Sequence, residues 1–555
     1  MTVADYVARF LVSIGVRHVF GFQGSAVLKL VDSMVGTGNI EYVQNFNEQA
    51  SAFAADAYAR VRGDLGVAVA TSGPGAINLI GGIANAYFDS VPVLFITGQE
   101  HSTIIQATNG ARQNGFQDTD IVSMVKGITK YAVCLTDPYS VRHELEKAIY
   151  IAQEGRKGSV LIDIPLDIQF AEIDEKMLEA FPPPIHSVWA NADQCMDKII
   201  QLIEHSKRPI FLAGGGVRSS KAQKNLELVA KKYRIPIVTT LQGIDTCESA
   251  VGMGGLYGNT AANMAISYAD CIIALGVRFA KQHIGKDKTQ YASEAVLIHV
   301  DLDEKELGRT FMQPDIAVHA DIKTFLTALK EKQLEADYSP WHTQVKEWKN
   351  SFADTICTAE SEICPVRFVR EVIRYMKPGQ IAVSDVGVHQ MWVAQAFCSH
   401  TGQRLLNSGG FGAMGYALPA AVGASYLSDF SIVCFTGDGG LQMNLQELNT
   451  LSLRHNNIKC IVFNNGTLGM MRMMQNTYYG GRSYGTTKHE FSCPDLEKLA
   501  DCYRLNYAVL CEAENLGSLK DVFADNQPWL VDVHVNGNTK VLNRYNDTTL
   551  TFKRA

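Results

Sequence analysis

At 555 residues the chain is long enough for about three domains of ordinary size, each able to bury its own core. Hydrophobic residues make up 46% of it and charged residues 19%, with a mean hydropathy of -0.02, which excludes a disordered or fibrous protein. A net charge of -7 and a pI near 6.1, with no run of Lys or Arg, exclude the electrostatic footprint of a nucleic-acid binder.

Residues 1–20 mix Asp5, Arg9, Arg17 and His18 with apolar residues at helical spacing. Neither a signal-peptide core nor a membrane span tolerates that pattern, so a cytoplasmic protein without a membrane partner is expected. Three segments then alternate short Val, Ile and Leu runs with longer amphipathic stretches, the pattern of strand and crossover helix in a parallel sheet. The first, expected over 1–172, carries predicted strands at 66–70, 92–97 and 159–164. Phe181-Pro182-Pro183-Pro184 reads as a linker, because a proline run neither continues a helix nor pairs inside a sheet. The second segment, 185–332, carries predicted strands at 208–213, 235–240, 271–275 and 295–301. A polar, helix-rich connection over 335–362 leads to the third, 360–555, with predicted strands at 380–384, 431–435, 460–463 and 529–534. The fold class expected is α/β, three doubly wound parallel-sheet domains. The 12 cysteines are scattered without CxxC spacing and read as reduced core residues rather than a zinc site or a disulfide framework.

Gly437-Asp438-Gly439-Gly440 follows the apolar run at 431–435, and 24 residues separate Gly439 from Asn464-Asn465-Gly466-Thr467. Two parallel strands joined by one crossover helix fit that length, and their ends fall at one sheet edge, so Asp438 and Asn465 should meet. A carboxylate, an amide oxygen and a backbone carbonyl suit Mg²⁺ that already holds phosphate oxygens, and glycines let backbone N–H groups approach a diphosphate. An Asp-Gly turn alone is commonplace; the spacing is what gives it weight.

The whole pattern resembles the signature of thiamine-diphosphate enzymes, and that resemblance implies thiamine diphosphate and Mg²⁺ as cofactors, with Asp438, Asn465 and Thr467 as metal ligands. Phe46-Asn47-Glu48-Gln49-Ala50, opening a small-residue helix, resembles the catalytic-glutamate motif of the acetolactate synthase branch, as does 70–78. Glu48 is then the buried acid that exchanges a proton with the cofactor's pyrimidine, where an isolated Glu would be an ordinary first-turn acid. Similarity to acetolactate synthases runs nearly end to end and implies further residues. Gly387 and His389 lie in a diphosphate loop, Gly412 and Met414 in the segment carrying the wedge that bends the cofactor, and Gly437, Gly439, Gly440 and Met470 beside it. Gly24, Phe116 and Gln117 belong to the acceptor side. The second segment resembles the flavin-binding version of that domain, with Gly215, Gly216, Thr240, Leu241, Gly276, Arg278, Asp301 and Asp321, joined by Arg156, as FAD contacts. The resemblance also implies a homodimer or a dimer of dimers with sites between chains.

The activity so implied is decarboxylation of pyruvate and transfer of the two-carbon fragment to an acceptor carbonyl. Three departures concern that acceptor: Leu166, Gln282 and Met474 stand where the synthases usually carry Lys, Arg and Trp. A cation clamps an acceptor carboxylate through charge-assisted hydrogen bonds, each worth about 1.5–3 kcal/mol, and neutral Gln282 supplies no charge. The acceptor is therefore left open between a 2-oxo acid and a keto-sugar nucleotide, as in carboligases that make yersiniose-type branched sugars. A pyruvate oxidase that passes electrons to FAD is a further alternative, and a silent binding subunit is disfavoured by retention of Glu48, Asp438 and Asn465.

Overall fold

A computed structural model describes residues 1–106, 110–184, 192–285, 291–309, 312–352, 362–398, 402–454, 456–487 and 489–541. Runs of Val, Ile, Leu and Ala that are buried on both faces form the middle of three parallel sheets, as expected for strands covered by helices on each side. The first sheet contains β1 (His18–Phe22), β2 (Glu41–Gln44), β3 (Gly66–Ala70), β4 (Val93–Gln99), β5 (Tyr131–Cys134) and β6 (Val160–Pro165), in the order β2-β1-β3-β4-β6-β5. The second contains β7 (Pro209–Ala213), β8 (Ile237–Thr239), β9 (Cys271–Leu275), β10 (Val296–Asp301) and β11 (Ile316–His319), in the order β11-β10-β9-β7-β8. The third contains β12 (Ile381–Ser384), β13 (Arg404–Asn407), β14 (Ile432–Gly437), β15 (Ile458–Asn464), β16 (Asn506–Leu510) and β17 (Trp529–His534), in the order β13-β12-β14-β15-β17-β16. The fold is three doubly wound α/β units, and the first and third are wound identically.

Each sheet reverses its winding at its centre, between β1 and β3, between β7 and β9, and between β12 and β14, and the first and third turn back again at their last strand, β6 and β17. Helices leave opposite faces at such a point, so the carboxyl ends of the two central strands face an open crevice. Six strands lay outside the sequence expectation: β1, β2, β5, β11, β13 and β16. All but β1 are edges, and β2 shows why: it leaves Glu41 exposed and Tyr42 and Gln44 half-buried beside a single buried Val43.

The helix Glu48–Arg62 starts on Asn47, whose side chain accepts the Gln49 N–H, and packs along the helix Ala417–Ser425 of the third unit. The contact is backbone to backbone: a Cβ on Gly423 would lie 2.0 Å from the Ala54 carbonyl oxygen. The run 181–184 is irregular, and 185–191, with which the expected second segment opens, lie outside the described residues, as do 360–361 and 542–555 of the third. Within the polar connection the helix Ser339–Ser351 packs on the second unit, where the Trp341 indole donates to the Pro209 carbonyl at 3.0 Å. Ten described cysteines are free; Cys364 is disulfide-bonded and departs from the all-reduced expectation. Among the described residues no helix is long and apolar enough to cross a membrane.

Candidate active site

At the reversal point of the first sheet, Glu48 is only 7% exposed and its Oε2 accepts the Asn78 amide at 2.9 Å. Gly75 makes room for it, since a Cβ there would lie 3.1 Å from Glu48 Oε1 and 2.8 Å from Thr71 Cγ2. Thr71 in turn touches Gly24, where a Cβ would come within 2.7 Å. Gly73 has φ +59, a region few side chains adopt, and Gln117 lies against it with its Cβ 2.9 Å from where a Gly73 Cβ would be. Gly24, Glu48 and Gln117 therefore share one edge. The Tyr42 hydroxyl beside them is buried without a partner, and burial together with the Glu48 charge raises its pKa. Phe116 projects outward, 77% exposed.

The third sheet builds the opposite chemistry at its own reversal point. Asp438, the first residue after β14, is buried; its Oδ1 accepts the Gly439 N–H at 2.9 Å and its Oδ2 the Gly466 N–H at 2.8 Å. Burial pushes its pKa up to about 6 against the lowering effect of those N–H groups. Asn465 Oδ1 accepts the Thr467 N–H at 3.2 Å, and the Thr467 hydroxyl donates to the Thr486 carbonyl. Asp438, Asn465 and Thr467 are thus one cluster. His389 stands over Gly387 and Gly437, its Nε2 buried without a partner and its pKa driven down to about 3 by burial, so it is a neutral imidazole. Met414 Cε lies 3.6 Å from the position of a Gly439 Cβ, Asp385 Cγ lies 3.0 Å from that of a Gly440 Cβ, and Gly412 faces open space. Met470 approaches the Tyr257 hydroxyl through its sulfur, at 3.7 Å.

Among the described residues no group of three or more His, Cys, Asp or Glu is placed to hold a metal. A cation here would need mixed oxygen donors, and Asp438, the Asn465 amide and the Thr467 carbonyl supply that hard set beside the unpartnered His389. The residues present fit a magnesium diphosphate.

Buried contacts that the sequence did not reveal tie the two edges together. The Ser408 hydroxyl donates to Asn85 Oδ1 at 2.5 Å and accepts the N–H groups of Gly412 and Ala413, while Asp89 accepts the Gly410 N–H at 2.7 Å. Asp385 accepts the Gly415 and Ala417 N–H groups from the other side. Glu447 accepts the Phe46 N–H at 2.7 Å and the Asn45 amide at 2.9 Å, fixing the turn that leads into Glu48. Only Asp385, an Asp directly after a strand and two residues before a glycine, carried a readable signal.

In the second unit Gly214, Gly216 and Gly276 press two turns together: a Cβ on Gly214 would lie 2.0 Å from the Gly276 oxygen, and Gly276 has φ +60. Gly215 borders Gln242, whose Nε2 is buried without a partner, and the Thr240 N–H donates to Ala213 while Leu241 accepts from Asn407. Several flavin candidates have partners of their own. Asp321 caps the helix Ile322–Glu331, Asp301 accepts the Asp303 N–H, and Arg156 bonds Ser90, Asp303 and Glu306. Arg278 lies near Gly410 and Asp89 instead. His299 is buried with its Nε2 3.8 Å from Asp301 Oδ2. Of the three acceptor candidates, Leu166 follows β6, Gln282 is exposed on the short helix Lys281–Ile284, and Met474 is 40% exposed on the helix Gly469–Tyr478, so each comes from a different unit.

Two outer units with complementary edges and a middle unit whose turns meet at glycines mark a thiamine pyrophosphate enzyme. Residues 1–124 match the N-terminal TPP binding domain of that family, 196–329 its central domain and 385–533 its C-terminal TPP binding domain. The chain is 34% identical over 549 residues to the acetolactate synthase large subunit of Lactococcus lactis subsp. lactis, covering 97% of this chain and 93% of that one. It is 34% identical over 556 residues to a probable acetolactate synthase large subunit of Methanocaldococcus jannaschii, with 96% and 92% covered. With that of Parasynechococcus marenigrum it shares 35% over 538 residues, with 94% and 85% covered. The chain belongs to the thiamine pyrophosphate enzyme family, in its acetolactate synthase branch.

Proposed function

We propose that the protein decarboxylates pyruvate and joins the two-carbon fragment to an acceptor carbonyl. The observation that carries this is Glu48, a carboxyl buried at a sheet edge with the Asn78 amide donating to it and a glycine opposite. When bound, thiamine diphosphate supplies the electron sink for breaking the bond next to the 2-oxo carbon. Glu48 would hold or yield a proton at the pyrimidine nitrogen, and Asp438, Asn465 and the Thr467 carbonyl would hold Mg²⁺. Gly387, His389, Gly412, Gly437, Gly439 and Gly440 line the diphosphate path, Met414 and Met470 pack beside it, and Gly24, Phe116 and Gln117 face the acceptor. Two chains complete each site, in a homodimer or a dimer of dimers.

FAD is proposed for the second unit, at Gly215, Gly216, Thr240, Leu241, Gly276, Arg278, Asp301 and Asp321, with Arg156 nearby. The unpartnered Gln242 Nε2 at that edge supports it. Leu166 and Gln282 are neutral, which favours an acceptor without a carboxylate, such as a keto-sugar nucleotide, as the second reading. The experiment gives purified protein pyruvate, Mg²⁺ and thiamine diphosphate together with pyruvate, 2-oxobutyrate or 4-keto sugar nucleotides as acceptors. Acetolactate as the dominant product supports the first reading, and a branched sugar the second. Oxygen or quinone consumption without carbon–carbon bond formation would overturn both.

A further inference from the structure

A buried polar chain in the first unit has no part in the chemistry above, yet it ends on the loop that carries Gln117. Asp163 on β6 pairs in register with Thr97 on β4, and both face inward. The Thr97 hydroxyl donates to Asp163 Oδ1 at 2.6 Å. Gln99, two residues on, donates from Nε2 to Asp163 Oδ2 at 3.0 Å and to the Thr119 carbonyl at 2.7 Å, while its Oε1 accepts the Glu100 N–H at 3.0 Å. Both N–H donors and the carbonyl oxygen of that amide are engaged, so its orientation is fixed.

We propose that Gln99, oriented by Asp163, is a positioning residue for the acceptor step, setting the place of Gln117 through the Thr119 carbonyl. The inference rests on the reading of Phe116 and Gln117 as acceptor-side residues. Gln117 has φ 62, a conformation that a non-glycine residue keeps only when its surroundings impose it. Gly73 bears on it from one side, and the Gln99 bond to Thr119 holds the chain two residues further on. Asp118 Oδ2 accepts the Asn114 and Gly115 N–H groups, which closes the loop into a unit that moves with its tie. Glu48 is held by other contacts, through Asn78 and Gly75, so loosening the loop leaves the donor half of the reaction in place.

The readout is the fraction of released CO₂ that appears as carbon–carbon bond formation rather than free acetaldehyde, on protein saturated with thiamine diphosphate and Mg²⁺. Gln99→Leu should keep CO₂ release within about twofold, lower the ligated fraction about tenfold and raise the acceptor KM, the scale expected when a reacting partner is misplaced by a fraction of an ångström. A second variant combines Gln99→Glu with Asp163→Asn. It restores an amide–carboxylate pair and the melting temperature, yet offers Thr119 no donor, so its ligated fraction should stay low. A ligated fraction restored by that swap would mean a packing role alone and overturn the proposal, as would a wild-type fraction in Gln99→Leu; if Gln99→Leu does not fold, the swap decides. Gln117→Ala with an unchanged ligated fraction would sink the acceptor-side reading instead, and absent CO₂ release by the wild type would sink the proposed function.

Discussion

Glu48 keeps its place through one amide and one missing side chain, so its chemistry can be altered without disturbing its packing. Glu48→Gln preserves shape and an acceptor for Asn78 but exchanges no proton. CO₂ release should fall by about 10²-fold or more, while thiamine diphosphate binding, followed by fluorescence quenching, stays within a few-fold; unchanged turnover would remove Glu48 from the mechanism. Asp163 carries a different prediction. Burial pushes its pKa up to about 7, the Thr97, Gln99 and Cys134 side chains pull the other way, and Asp120 adds a like charge. A carboxyl raised in the folded state binds more protons there than in the unfolded chain, so its contribution to stability is full below the unfolded value and is lost as pH rises through about 7. Asp163→Asn should remove a slope of up to about 1.4 kcal/mol per pH unit between roughly pH 4 and 7, read as the difference between the two denaturation profiles. Parallel profiles would show that Asp163 does not titrate there.

At the level of elements, the helix Glu48–Arg62 depends on Gly423 of the helix it packs against. Gly423→Val would drive a side chain into the Ala54 carbonyl. The expected cost is about 1–3 kcal/mol, seen as a lower unfolding midpoint, with activity falling too because Glu48 opens the displaced helix. A variant as stable as the wild type would mean that the two helices separate at no cost. The same elements show what the sequence could reveal. β3, β4, β9 and β14 are buried on both faces and read as apolar runs, with polar residues only at the carboxyl ends of β4 and β14, whereas edge strands such as β2 and β16 mix exposed and buried positions within five residues or fewer. The proximity of Asp438 to Asn465 was legible because one crossover fixes where two strand ends meet. The ties from Asn85 and Asp89 to the 408–413 loop were not, because more than 300 residues separate the partners and no local pattern records them.

At the level of the molecule, Glu48 and Asp438 belong to different units, and the proposed arrangement draws them from two chains. Mixing Glu48→Gln protein with an Asp438→Ala variant under exchange should regenerate intact sites in the hybrids, approaching about a quarter of the wild-type number for random dimers. Sites confined to one chain would recover nothing. The identical winding of the first and third sheets sharpens the point. The helix Glu48–Arg62 between β2 and β3 and the helix Ala417–Ser425 between β13 and β14 are equivalent elements, and they already clasp each other within one chain. That self-matching face is already covered within one chain, so the two-chain arrangement proposed above would have to use other surface.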